Sequence, residues 1–155
     1  MATGEIYNEI KNIPDSEKFP PKGYNTDNYP RVAYGSVTSA ELKALNTTVK
    51  VAITGREGMY VIVESAFCFL EHGGTDYAAS GGISFRYTDG SGDAVLNVLP
   101  EVAFVEASAD VVMMLHGIDC IPVSGANVVI SADSADPTAG DGVLYYKIVY
   151  RYESF

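Results

Sequence analysis

The chain has 155 residues, 47% of them apolar and 19% charged, with a formal net charge of −10. That length suits one domain with its own core and is short for two, and the apolar share is that of a chain with a packed core rather than a disordered one. The acidic excess repels phosphate backbones, which argues against direct nucleic-acid binding, while leaving a basic protein surface open as a partner.

The opening stretch "MATGEIYNEIKNIPDSEKF" mixes acids with isolated apolar residues and resembles no signal peptide. No run approaches the about 18–20 apolar residues that span a bilayer. The expectation is a product made in a cytosol without a membrane partner. Prolines 14, 20, 21 and 30 each remove a backbone donor and discourage regular structure. Residues 1–31 therefore read as an extended N-terminal arm ahead of a domain at 32–155, with a brief helical turn open at 6–12. Ile6, Tyr7, Ile10, Ile13, Phe19, Tyr24 and Tyr29 are spaced through the arm. Anchors of that kind suggest docking onto a surface, its own or a neighbour's, because amphipathic tyrosines favour protein interfaces.

In "VTSAELKALN", Thr38 followed by Glu41 fits a capping box, and Ala40, Leu42, Ala44 and Leu45 suit a short helix that stops near Asn46. Everything after it reads as strands between turns. Val49, Val51 and Ile53 alternate with Lys50 and Ala52. The run "MYVIVESAFCFLE" places Val61, Val63, Phe67 and Phe69 on one parity and Tyr60, Ile62, Ala66, Cys68 and Leu70 on the other, as in a central strand or at a bulge where the facing switches. "ISFRYT" points Ile83, Phe85 and Tyr87 one way. "DAVLNVL", "VAFVEAS", "VVMMLHG" and "NVVISAD" follow as short β-rich runs. The closing "VLYYKIVYRYE" sets Leu144, Tyr146, Ile148, Tyr150 and Tyr152 on one face, with Lys147, Arg151 and Glu153 opposite. Short strands with regular turn signals and a single small helix predict an all-β fold, an antiparallel β-sandwich of jelly-roll-like topology.

Chemistry is sought first in "YTDGSGD", where Asp89, Ser91 and Asp93 alternate as they do at the start of a calcium loop. An EF-hand needs Gly at its sixth position and Glu at its twelfth, and those places hold Ala94 and Pro100. Asp-Gly between apolar runs is itself a strong turn signal. The stretch therefore reads as a loop tip, with Asp89 and Asp93 kept as candidates for a weak calcium contact only. Asp133, Asp136 and Asp141 form a second acidic turn, and the two could share a cation only if they met. His72 and His116 lack zinc-type spacing; His72 reads as solvated and His116 as a face residue of its strand. Ser80 in "AASGG" lacks the glycine of a nucleophile elbow, and Cys68 inside an apolar strand reads as a buried, unreactive thiol. Pairing of Cys68 with Cys120 is left open. No catalytic residue and no cofactor is expected, so the chain reads as no enzyme.

In order, "TSAELKALNTTVKV", "EHGGTDYAASGGISFRYTDGSG" and "DPTAGDGVLYYKIVYRY" resemble small β-sandwich structural proteins of tailed-bacteriophage virions, the decoration, cement or head-fibre proteins. The likeness covers residues 36–152 and does not reach the arm. It implies a jelly-roll-like domain, commonly a homotrimer, that sits on an icosahedral capsid and ties capsomers together. The implied partner is the major capsid protein and the implied place is the capsid surface of the virion. The arm would then supply capsid or inter-subunit contacts. A tail or fibre module that binds a host glycan or joins tail components is the alternative, and a calcium-dependent carbohydrate-binding or hydrolytic sandwich the third.

Overall fold

The structure, a computed structural model, describes residues 29–78 and 81–154. The anchors Ile6, Tyr7, Ile10, Ile13, Phe19 and Tyr24 lie outside the described residues, as does Ser80. The elements in chain order are β1 (Arg31–Val37), α1 (Ser39–Leu42), β2 (Lys50–Ile53), β3 (Tyr60–Glu71), β4 (Tyr77–Ala78), β5 (Ile83–Tyr87), a π-helical turn (Glu101–Val105), β6 (Val111–His116), β7 (Val128–Ala132), β8 (Thr138–Ala139) and β9 (Val143–Glu153).

They build an all-β, antiparallel sandwich. One sheet has four strands in the order β1-β9-β3-β6, the other three in the order β2-β7-β5, and β4 with β8 forms a two-stranded ribbon. β9 and β3 are the two central strands, and β9 alternates the more regularly. Leu144, Tyr146, Ile148 and Tyr152 are buried on its inner face, while Tyr145 and Lys147 point out. β3 runs beside it along its whole length with a register shift between Val63 and Ser65. That bulge answers the double parity of the sequence: Val61 and Val63 face the core before it, and Ala66, Cys68 and Leu70 after it. Phe67 and Phe69 are thereby turned outward.

Phe85 of β5 meets Tyr146 of β9 edge to face, ring centroids 6.4 Å apart, at the centre of the core. Tyrosine serves here as an apolar ring with a tether at three positions, the hydroxyl donating to a main-chain carbonyl of another segment. Tyr87 reaches Val61 O at 2.5 Å, Tyr77 reaches Gly142 O at 2.7 Å and Tyr152 reaches Thr54 O at 2.7 Å. α1 forms where the capping box places it, with Thr38 and Glu41 exchanging both bonds, and its Leu42 closes one side of the core.

Three sequence expectations are corrected. "VAFVEAS" is not a strand: it is the π-helical turn, with Phe104 and Val105 buried and Val102 exposed. A short apolar run fits strand or helical turn equally, and extended Pro100 starts the turn. "DAVLNVL" is also no regular strand, since it touches its neighbours only at isolated bridges, Arg86 with Ala94, Ile83 with Leu99 and Leu96 with Gly117. β1 had no place in the sequence reading because Gly35 and Ser36 interrupt its apolar pattern. Gly35 is required there: a Cβ would lie 2.6 Å from the Tyr146 hydroxyl.

Candidate functional site

The acidic turns serve the fold. Asp89 Oδ1 accepts from Ser91 N at 2.8 Å and from Ser91 Oγ at 2.7 Å, and these bonds hold its carboxyl below the usual range. The two acidic loops do meet, through a guanidinium. Arg86 donates to Gly92 O at 3.0 Å in the first loop and to Asp133 Oδ1 at 2.9 Å in the second. Asp136 closes the turn after α1, accepting from Asn46 N at 2.6 Å and Thr47 N at 3.0 Å. Asp141 Oδ1 accepts from Thr75 N at 2.9 Å. Among the described residues no three His, Cys, Asp or Glu side chains converge as a metal site would require.

His72 is partly exposed, and it has a partner as well as solvent. Its Nε2 lies 2.8 Å from Asp76 Oδ1, and its backbone N–H donates to Asp110 Oδ1; the glycine-rich loop after it curls back and brings Asp76 to the ring. His116 ends β6 on the exposed face. Cys68 and Cys120 are free thiols. Burial pushes the Cys68 thiol up to about 12, so it stays protonated and unreactive at neutral pH.

The feature without an internal explanation is the outer face of the four-stranded sheet. Antiparallel register places its side chains in three rows. Val32, Val149, Ser65 and His116 form the first; Tyr34, Lys147, Phe67 and Met114 the second; Ser36, Tyr145, Phe69 and Val112 the third. Val32, Tyr34, Phe67, Val112, Met114 and Tyr145 are between 42 and 82% exposed. A sheet face against water ordinarily carries polar side chains, so a contiguous apolar face marks a contact surface. Phe69 and Tyr145 stack at 6.1 Å, which stiffens the third row. An open groove of about 460 Å³ runs between Phe67, Met114 and Val149, with Lys147 beside it. Lys147 makes no ion pair among the described residues.

Sequence parity grouped Phe67 and Phe69 with the buried Val61 and Val63, which hid this face. Glu64, a lone acid inside an apolar run, is the signal that marks the change of facing. Tyr29 lies at the foot of β1, partly buried and engaged with other groups.

No family model matches the chain, and no curated protein does. Among solved structures it is similar to a chain of the "Cyanophage Pam1 capsid asymmetric unit", at 18% identity and a TM-score of 0.49, over 83% of this chain and 89% of that one.

Proposed function

We propose that this is a non-enzymatic structural protein of a tailed-phage virion, one that binds the outside of the capsid and cements or decorates it. The observation that carries the reading is the apolar outer face of the β1-β9-β3-β6 sheet, a surface built for protein contact rather than for chemistry. The resemblance of residues 36–152 to decoration and cement proteins supplies the setting. The partner is the major capsid protein, the working form a homotrimer, and Ile6, Tyr7, Ile10, Ile13, Phe19, Tyr24 and Tyr29 of the arm supply capsid or inter-subunit contacts. A ligand that binds assembled shells and not dissociated subunits shifts the equilibrium toward the shell, and many copies at symmetric positions multiply weak contacts.

The test is sedimentation of the full chain with undecorated shells and, separately, with dissociated coat subunits. The expected result is saturable binding to shells at a fixed ratio and little binding to subunits. Binding to purified tails or to host glycan, with none to shells, overturns the reading in favour of the tail or fibre alternative.

A further inference from the structure

We infer that the outer face of the β5 and β7 pair holds one internal water molecule, bound by Ser84, Ser131 and Arg86 beneath the loop at 88–93. These two strands of the three-stranded sheet are covered on both faces. The inner face is apolar, with Ile83, Phe85 and Tyr87 of β5 and Val128, Ile130 and Ala132 of β7 in the core. The outer face carries Ser84 and Ser131, 0 and 1% exposed, the buried polar residues among those described. Neither hydroxyl has a hydrogen-bond partner within the protein, and neither has the buried Nε of Arg86. An unpaired buried polar group is costly, and native proteins satisfy such groups with protein atoms or with ordered water.

Register brings the three groups together. Ser84 lies directly opposite Ser131, and Arg86 opposite Val129, on the same face one row along. The Cβ atoms of such a cross-strand pair stand about 4.5–5.5 Å apart. A serine side chain ends one atom further out, so the pair forms a shallow polar floor in a sheet otherwise rich in valine and isoleucine. Arg86 lies over that floor. Its Nη2 donates to Asp133 Oδ1 at 2.9 Å, and Asp133 stands two residues beyond Ser131. The side chain therefore runs back along the row, which carries Nε toward the two hydroxyls. Its Nη1 donates to Gly92 O at 3.0 Å, and this draws the loop over the same spot. A Cβ at Gly90 would lie 3.6 Å from Ser131 Cβ and 3.9 Å from its Oγ, so the loop backbone forms the roof.

The donors and acceptors present select water. The Nε–H of Arg86 can only donate, so its partner must accept, while each serine hydroxyl can do either. A water accepts from Nε–H and from one hydroxyl and donates to the other, and about three such bonds are usual for an internal water. A metal cation cannot accept from Nε–H and is repelled by the guanidinium. An anion could accept from all three groups, but the charge of Arg86 is already matched by Asp133, and the chain carries a formal net charge of −10. The water ties β5 to β7 on the side away from the core and steadies Arg86, which in turn holds the loop. It leaves only when the loop at 88–93 opens.

The test is a crystal structure of the full chain grown with bromide as the halide, together with water-oxygen magnetic relaxation dispersion in solution. The expected result is one density peak without anomalous signal, about 2.7–3.2 Å from Ser84 Oγ, Ser131 Oγ and Arg86 Nε. In solution, Ser131→Val should fill the space and remove one long-lived water from the wild-type count. An anomalous peak at the site overturns the inference in favour of a halide. Serine hydroxyls bonded directly to each other, with no density between them and Nε, overturn it outright. So does a long-lived water count that is the same in wild type and in folded Ser131→Val. The crystal result rests on the wild-type chain alone, so it decides the matter even if the variant fails to fold.

Discussion

Tyr87→Phe is the sharpest probe of how the two sheets are tied. The ring is buried in the core, and its hydroxyl donates to Val61 O across the sandwich at 2.5 Å. Phenylalanine keeps the ring and its packing, so the change removes only what the hydroxyl makes, the bond to Val61 O and the contact with the Cys120 thiol. Removing the donor leaves the buried Val61 carbonyl without that partner, which costs about 1–3 kcal/mol. At about 2.1 cal/mol/K per residue over 155 residues, a loss of about 2.5 kcal/mol lowers Tm by about 8 °C. Burial first, and the Cys120 thiol second, push the Tyr87 phenol above its ordinary value. A raised folded pKa means that its contribution is complete below the unfolded value of about 10 and is lost as pH rises beyond it. The assay is thermal unfolding by circular dichroism at pH 7 and again above pH 10. The difference between wild type and Tyr87→Phe should be full at the first pH and shrink at the second. A Tm unchanged at pH 7, or a gap that widens in alkali, would refute the tether.

Gly35→Ala drives a methyl into the Tyr146 hydroxyl, 2.6 Å from the new Cβ; displacing that ring from the core costs about 1–3 kcal/mol, read as a lower urea midpoint, and an unchanged midpoint would show that the ring yields freely. Cys68 should resist a thiol reagent in the folded protein and react at once in denaturant, because burial keeps its thiol protonated up to about 12; prompt reaction of two thiols per folded chain would contradict the core placement. Glu41, Asp89 and Asp136 have carboxyls held below their ordinary values by Lys50, Ser91 and Thr47 respectively. Their contribution is present above about pH 4 and lost as pH falls through the folded values. Urea midpoints should therefore fall between pH 5 and pH 2, and flat midpoints would show that these bonds do not favour the fold.

Much of the fold was legible because burial on one side imposes period two. The inner face of β9, the facing of β5 and the capping box of α1 all follow from single side chains whose polarity fits one environment. The losses have physical causes too. β1 packs a glycine against a tyrosine ring, so close approach of backbone replaced the apolar side chain that would have announced a strand. The π-helical turn at Glu101–Val105 is too short for its period to differ from a strand's. The bulge in β3 inverted the expected facing of Phe67 and Phe69, and with it concealed the outer face that now stands as the candidate site. The acidic turns attracted attention because of their composition, yet Ser91, Arg86 and the turn after α1 engage Asp89, Asp133 and Asp136. Composition shows that carboxylates are present; only the long-range contacts show what they hold.

The most direct test of the structural role is the thermal disruption of undecorated shells, followed by light scattering, with and without the full chain. The account predicts that the full chain raises the disruption temperature, that removal of residues 1–31 lowers the gain, and that Phe67→Asp does the same. A disruption temperature that is identical with and without saturating protein would contradict it.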